Sequence, residues 1–225
     1  MKFKMLKKLI ASALVVVSVF VVFPHKIVRS IDITASRIEQ TMKTEKNVVY
    51  ISPSTQYDNS YVNVNGIKTT EGKTMQEIGN LVKDNLVKRG VVVYMNNPQE
   101  NFNSHVIRGN KLPGVDCYVA LHSNAAGEKY KGQAQGILVI TRKDAESQKL
   151  SSMMYKHLQK VYPYKEKSRG IIFNGKYREV SGPNAPTLIA EIGFHDNYKD
   201  AEFLLNNKQK IADAVADAIY EYLKS

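Results

Sequence analysis

From residue 47 onward, the sequence alternates short apolar runs with longer segments of helical periodicity. Six apolar runs are expected to be strands, namely Asn47–Ile51, Val91–Tyr94, Asp116–Leu121, Gly136–Thr141, Gly170–Phe173 and Thr187–Glu191. The segments expected to be helical are Thr70–Arg89, Asn101–Lys111, Asp144–Val161 and Asp200–Tyr222. This alternation predicts an α/β fold, a single domain whose twisted, mostly parallel sheet carries helices on both faces.

The first 46 residues of the 225-residue chain do not follow this pattern. Four lysines within the first eight residues precede Leu9–Phe23, an uncharged and mostly apolar run. As a helix this run would span roughly 22 Å, less than a hydrocarbon core of about 30 Å. Residues 1–24 are therefore expected to be a signal peptide or a short membrane anchor. The lack of a good small-x-small cleavage site favours the anchor.

Residues 25–46 are expected to form a stalk, because isoleucines and Met42 recur there at rough helical spacing among charged residues. Residues 47–225 remain as the globular domain, which is long enough to bury one core. The positive N-terminus directs this domain out of the cytoplasm. We therefore expect an extracytoplasmic monomer, either anchored to the cell membrane or secreted to the cell wall.

Composition excludes several kinds of site. Cys117 is the single cysteine and lies in an apolar run, so neither a disulfide nor a cysteine zinc site is expected. Any metal must be held by His, Asp, Glu or an amide oxygen. The formal net charge is +11, but six positive charges and no negative ones lie in the first 30 residues, so the rest of the chain has only a modest basic excess. This excess either favours an anionic partner such as a cell-wall polymer or is simply solvated surface. Nucleic acid is not an expected partner of an exported chain without a binding motif.

Two of the apolar runs end in groups that can bind metal. The run Leu188–Ala190 is followed directly by the carboxylate of Glu191, and the imidazole of His195 comes four residues later. Burying an ionised carboxylate costs several kcal/mol unless it is paired or bound to a metal. The run that ends at Leu121 is followed by His122. These strand ends predict a metal site.

Further polar residues are expected at the same edge of the sheet. In parallel α/β sheets, functional side chains gather beyond the carboxyl ends of the strands. Gln56 follows the first strand, and Glu71 opens the helix after the first loop. Together with His122, Glu191 and His195 they make five groups with ligand or acid–base capacity. The sequence predicts that these five groups converge.

Three of these segments, in this order, resemble a known family. They are the helix-opening Glu71, Leu121-His122-Ser123-Asn124-Ala125, and Leu188-Ile189-Ala190-Glu191-Ile192-Gly193-Phe194. They are similar to the zinc-dependent N-acetylmuramoyl-L-alanine amidases, the cell-wall hydrolases and autolysins of bacteria. The resemblance covers Val48 to Lys224, and Arg108-Gly109-Asn110 also looks like Arg and Asn positions of that family.

The resemblance implies a zinc-dependent hydrolase of peptidoglycan that cleaves the amide bond between N-acetylmuramic acid and L-alanine. Glu71 and His122 would be zinc ligands, and Asn124 and Arg108 would contact the substrate. Glu191 would take a proton from the zinc-bound water and return it to the leaving amine.

The sequence departs from the family at the first zinc ligand. Members usually carry a His in an Asp-Pro-Gly-His turn after the first strand, whereas this turn reads Ser52-Pro53-Ser54-Thr55-Gln56. His195 is expected to supply the missing imidazole as the third zinc ligand, and the alternative to it is Gln56, through its amide oxygen; otherwise the site could be degraded. A degraded site would make the chain an inactive amidase-like protein that binds peptidoglycan and regulates or recruits other hydrolases. A metallopeptidase acting on another exposed amide is a further alternative.

Two features receive simpler predictions. His105 and His157 lie among polar helical residues and are expected to face solvent. The polar turn 177–186, rich in Gly and Pro, is expected either beside the substrate groove or as a connecting loop only.

Overall fold

The computed structural model describes residues 47–225 of the chain. Its strands are β1 (Val48–Pro53), β2 (Val92–Met95), β3 (Val115–Asn124), β4 (Leu138–Thr141), β5 (Gly170–Phe173) and β6 (Thr187–Phe194). They form one sheet in the order β2-β1-β3-β6-β4-β5. Four of the five pairings are parallel, and β4 runs antiparallel to β6. The predicted α/β fold with a mostly parallel sheet is confirmed.

The helices are α1 (Glu71–Lys88), α2 (Phe102–Lys111), α3 (Ala145–Val161), α4 (Arg178–Ser181), α5 (Tyr198–Asn206) and α6 (Lys208–Lys224). Side-chain caps explain where three of the predicted helices start. The side chains of Thr70, Asn101 and Asp144 accept from backbone amides of the first turns of α1, α2 and α3. The segment predicted as one or two helices from Asp200 is two, α5 and α6, which meet at Asn207.

The predicted anchor (1–24) and stalk (25–46) lie outside the described residues. Within residues 47–225, no helix is long and apolar enough to cross a membrane.

The two faces of the sheet carry different cores. A larger apolar cluster contains residues of α1, α3 and α6, and a smaller one surrounds Tyr50, Tyr118 and Ile189 together with residues of α2 and α4. Side chains alternate between the faces along a strand. Two residues beyond Tyr50, Ala120 and Ile189, which all belong to the smaller cluster, this alternation puts Ser52, His122 and Glu191 on the α2/α4 face, towards the carboxyl end of each strand.

Helix α1 packs unusually close to β1. A Cβ atom added at Gly79 would lie 2.3 Å from Cγ of Pro53, so only glycine permits this approach. At the start of the helix, the backbone amides of Glu71 and Gly72 donate to the carbonyl oxygens of Asn59 and Gln56, at 2.9 Å each. These contacts place the first turn of α1 against the loop that follows β1.

The carboxylate of Asp200 holds the end of β6. This fully buried side chain accepts hydrogen bonds from the amides of Phe194 and Gly136, at 2.8 Å each, and from the Tyr162 hydroxyl at 2.5 Å. It therefore ties the end of β6 to the segment before β4 and to the segment after α3. Gly193, next to Phe194, has a φ of 82°, which other residues adopt only with strain.

Replacing Asp200 should destabilise the whole domain. In Asp200→Ala, the amides of Phe194 and Gly136 and the hydroxyl of Tyr162 would lose their acceptor, and leaving buried donors without acceptors costs about 1–3 kcal/mol each. We expect the free energy of unfolding in urea to fall by about 2–4 kcal/mol. The control is Asp217→Ala, at an exposed ion pair with Arg89, where a change below about 1 kcal/mol is expected. Equal losses in the two variants would contradict this role of Asp200.

Candidate active site

Polar side-chain atoms of three residues from separate elements lie within hydrogen-bond distance of one another at the carboxyl edge of β1 and β3. Oε1 of Glu71 lies 2.9 Å from Nδ1 of His122. Nε2 of Gln56 lies 3.3 Å from the same Glu71 oxygen and 3.4 Å from the same His122 nitrogen. Asn59 donates to the other Glu71 oxygen at 2.8 Å. The structure thus brings together three of the five residues that were expected to converge.

A second carboxylate lies on the opposite side of His122. Nε2 of His122 is 3.0 Å from Oε2 of Glu179, a buried residue on α4. The other oxygen of Glu179 accepts from the hydroxyls of Ser52, at 2.6 Å, and Tyr118, at 2.7 Å. The imidazole of His122 is therefore held between two carboxylates.

The polar cluster around Glu179 extends to His105. Nδ1 of His105 lies 3.2 Å from the Ser52 hydroxyl, and its Nε2 lies 2.9 Å from the carbonyl oxygen of Glu100. His105 is 1% exposed, so the prediction that it faces solvent is wrong. Its helix, α2, packs on the small core, and this burial could not be read from the polar residues around it in the sequence.

The charges in this cluster stabilise one another. Burial alone would lower the pKa of His122, but the hydrogen bonds to Glu179 and Glu71 raise it well above its ordinary value. Burial alone would raise the pKa of each of these carboxyls, but the hydrogen bonds from His122 hold both pKa values below their ordinary range. The hydrogen bonds therefore favour the protonated form of the imidazole and the ionised forms of both carboxyls.

Glu191 lies next to this cluster and differs from the other carboxylates. It is the register partner of His122 in the parallel pairing of β3 and β6. Its Oε2 atom is buried and has no hydrogen-bond partner among residues 47–225. Burial raises its pKa to about 7, opposed by the charge of His122 and assisted by the nearby charges of Glu71 and Glu179. A carboxyl that titrates near neutral pH is suited to proton transfer.

His195 is placed differently from the other predicted ligands. It is buried, and its Nδ1 lies 2.9 Å from the carbonyl oxygen and 3.1 Å from the hydroxyl of Ser123. Its ring stacks on Tyr61, with 5.3 Å between the ring centroids. The ring contacts of His195 are therefore with Ser123 and Tyr61, whereas those of His122 are with Glu71, Glu179 and Gln56.

The two predicted substrate contacts lie on different elements, β3 and α2. Asn124 ends β3, and its side-chain oxygen accepts from the amide of Ala125 at 2.8 Å. Arg108, on α2, forms a 2.5 Å ion pair with Glu100 and is half exposed. Asn110 on the same helix donates to the carbonyl oxygen of Gly182 at 2.8 Å and so connects α2 to the turn after α4.

Glu179 was not selected from the sequence. It lies within the turn 177–186, for which the alternatives were a groove-lining segment or a connecting loop. In the structure this segment contains α4, which carries Glu179 to the site. No local signal marks the residue, because its role arises only when α4 packs against α2 and β6.

The sequence matches the family model of the N-acetylmuramoyl-L-alanine amidases over residues 48–221. It matches no curated protein sequence.

Solved amidase structures have the same fold. One is the N-acetylmuramoyl-L-alanine amidase AmiC2 of Nostoc punctiforme, with a TM-score of 0.69 and 18% identity over 80% of this chain and 99% of that one. A second is the catalytic domain of CwlV, an N-acetylmuramoyl-L-alanine amidase from Bacillus (Paenibacillus) polymyxa var. colistinus. Its TM-score is 0.67 and its identity 17%, over 79% of this chain and 98% of that one. A third is an N-acetylmuramoyl-L-alanine amidase from Clostridium difficile 630, with a TM-score of 0.65 and 19% identity over 81% of this chain and 99% of that one.

The family match and the shared fold define the class of this protein as an amidase that acts on peptidoglycan. Within that class, the chain belongs to the N-acetylmuramoyl-L-alanine amidase family.

Glu191→Gln should stabilise the metal-free chain at neutral and alkaline pH. The pKa of Glu191 rises from 4.5 to about 7 in the folded chain, so the folded state binds this proton more tightly than the unfolded state does. The cost of ionising Glu191 is therefore absent below pH 4.5, grows as the pH rises to about 7, and is constant above that. Glutamine does not ionise, so at pH 8 the variant should gain on the order of 2–3 kcal/mol.

Urea unfolding at pH 4.5 and pH 8 in the presence of a chelator measures this gain. A matched control is Glu221→Gln, since the exposed Glu221 accepts from His157 at 2.6 Å and its pKa is lowered rather than raised. A gain for Glu191→Gln that is the same at both pH values would show that ionisation is not its cause.

Proposed function

We propose that this chain is a zinc-dependent enzyme that hydrolyses the amide bond between N-acetylmuramic acid and the L-alanine of the stem peptide. Membership of the amidase family supports the reaction class. The observation that carries the proposal is the arrangement of side chains at one edge of the sheet. Glu71, His122 and Gln56 contact one another there, and beside them Glu191 has a raised pKa and a buried oxygen that is unpaired within residues 47–225.

The donor set is compatible with zinc. The distances of 2.9, 3.3 and 3.4 Å between Oε1 of Glu71, Nδ1 of His122 and Nε2 of Gln56 are close to the ~3.3 Å that separates neighbouring ligands in a tetrahedral zinc site with bonds of about 2.0–2.1 Å. Among residues 47–225, no three His, Cys, Asp or Glu side chains are arranged to hold a metal ion, so the third ligand would have to be the amide oxygen of Gln56. Rotation of the amide by half a turn would present that oxygen in place of the nitrogen, and would give up the hydrogen bond that the oxygen accepts from Asn59 at 3.1 Å.

We assign Glu71, His122 and Gln56 as the residues that would hold the metal. Bound zinc supplies a Lewis acid and lowers the pKa of a coordinated water towards neutrality. His195 is the alternative third ligand, but its ring is directed to Ser123. Gln56 is the preferred third ligand because its side chain already contacts the other two.

Glu191 is the residue proposed to move protons. Its unpaired oxygen can accept the proton of an attacking water, and a pKa near 7 lets the same group return that proton to the leaving amine. Glu71 and Glu179 are less suited to this role, because both are hydrogen-bonded and their pKa values are lowered.

The remaining assignments concern substrate and location. Asn124, at the end of β3, is proposed to contact peptidoglycan at the same edge as the metal ligands. Arg108 is proposed as a second contact, and its guanidinium would have to exchange Glu100 for the substrate. We further propose that the enzyme acts outside the cytoplasm as a monomer, tethered or delivered by residues 1–24.

A non-catalytic role is the second candidate function. One reason is the hydrogen bond between Nδ1 of His122 and Oε1 of Glu71, which pairs two predicted zinc ligands with each other. The other is that the turn 52–56 contains no His. In that case the chain would bind peptidoglycan and regulate or recruit other hydrolases.

Glu191→Gln separates the two candidate functions. With zinc present, the wild type should release alanine amino termini from purified peptidoglycan, and the variant should be slower by about 10²–10⁴-fold because it cannot accept a proton. Zinc content should not change. Glu221→Gln is the control and should keep full activity. A zinc-loaded wild type that releases no amino termini but co-sediments with peptidoglycan would favour the binding function.

The third ligand can be identified from zinc affinity. Gln56→Ala should weaken zinc binding, whereas His195→Ala should leave it unchanged within about twofold when the variant is folded. Gln56→His should strengthen binding by about tenfold or more, because imidazole is a better zinc donor than a neutral amide oxygen. Competition with a chromophoric chelator measures these affinities. Loss of zinc in His195→Ala with full binding in Gln56→Ala would reverse the assignment.

A further inference from the structure

The two ring nitrogens of His122 have different surroundings. Nδ1 faces Glu71 and Gln56, which come from the loop after β1 and the first turn of α1. Nε2 faces Oε2 of Glu179, which comes from the other side of the ring on α4. One nitrogen is therefore directed to the predicted ligand atoms and the other to a single buried carboxylate.

We propose that Glu179 is a positioning residue for His122: it accepts the Nε2 proton and thereby leaves the lone pair of Nδ1 for the metal between Glu71 and Gln56. This inference rests on the zinc site of the proposed function and adds a residue outside the ligand set. Glu179 does not itself touch the metal or the substrate in this role.

The carboxylate of Glu179 is placed to accept a hydrogen bond from His122 and not to bind the metal. Its Oε1 already accepts from Ser52 and Tyr118, at 2.6 and 2.7 Å. Both hydroxyls donate, so Oε2 is the oxygen left for His122, at 3.0 Å. The imidazole ring lies between Glu179 and the Gln56–Glu71 pair, and this geometry separates the carboxylate from the atoms that converge on Nδ1.

Glu179 is also held in place through its backbone. Its carbonyl oxygen accepts from the hydroxyl of Thr187, the first residue of β6, at 2.8 Å. Thr187 is fully buried and Glu179 is nearly so. Side-chain and backbone contacts together keep the carboxylate at a constant position relative to β3 and β6, which carry His122 and Glu191.

A carboxylate on the distal nitrogen has a direct chemical effect on a ligand histidine. It selects the tautomer in which Nδ1 is unprotonated, orients the ring, and increases the basicity of the nitrogen that binds the metal. Loss of such a partner typically weakens metal binding by about 10–100-fold.

The test compares zinc affinities of full-length chains by chelator competition. Glu179→Ala should bind zinc about 10–100-fold more weakly than the wild type. Glu179→Gln should lose less, because its amide oxygen can still accept the Nε2 proton. The matched control is Glu221→Gln, which alters another carboxylate that contacts a histidine Nε2, at 2.6 Å, between α3 and α6. The control should bind zinc as the wild type does.

Nitrogen-15 NMR of the zinc-loaded chains gives a signature that a purely structural role would not produce. In the wild type, Nδ1 of His122 should carry the metal and Nε2 should carry a proton in slow exchange with solvent. In Glu179→Ala this proton should exchange fast. Thermal unfolding of the metal-free chains identifies any variant that fails to fold, and Glu179→Gln keeps the comparison informative if the alanine variant does.

The outcomes separate this proposal from the proposed function. Wild-type zinc affinity in Glu179→Ala, or a metal on Nε2, would overturn the role of Glu179 and leave the amidase proposal intact. Zinc binding that depends on Glu179, in a wild type that cleaves no peptidoglycan, would support the role of Glu179 and count against the enzyme. A wild-type chain that binds no zinc would overturn both the zinc centre and this proposal.

Discussion

The parallel pairing of β3 with β6 is the constraint on which the site depends. It makes His122 and Glu191 register partners, although they are far apart in the sequence. Because side chains alternate along each strand, the same pairing directs both residues to the α2/α4 face. A slip of one residue in either strand would move its functional group to the opposite face. The Asp200 contacts at the end of β6 therefore serve the site as well as the core.

Two kinds of carboxylate lie within this small region, and their environments assign them different chemistry. Glu71 and Glu179 are hydrogen-bonded to His122, and their ionised forms are stabilised. Glu191 has a buried oxygen without a partner in the described part of the chain, and its neutral form is favoured up to a pH of about 7. Neighbouring carboxyl groups with such different pKa values are typical of active sites in which some carboxylates bind and another transfers protons.

Most of the fold could be predicted because its signals are local. Apolar runs and helical periodicity located each strand and most helices, and side-chain caps set the starts of α1, α2 and α3. The strands β3 and β6 run further than predicted, because Asn124 and Phe194, beyond the predicted ends, still pair with each other. The short helix α4 was missed, and His105 was expected in solvent, because burial against a distant element leaves no periodic pattern in four to ten residues.

By itself, the sequence determined the α/β class, the family resemblance, and the placing of Gln56, Glu71, His122 and Glu191 at the carboxyl ends of strands or the start of a helix. These follow from residue order, since parallel strands bring their ends to one edge. Only the tertiary structure decided that the amide of Gln56 lies against Glu71 and His122, that the His195 ring is directed to Ser123, and that Glu179 completes the surroundings of His122. Which side chains meet at an edge depends on helix packing and strand register, and these are set by contacts between residues distant in the chain.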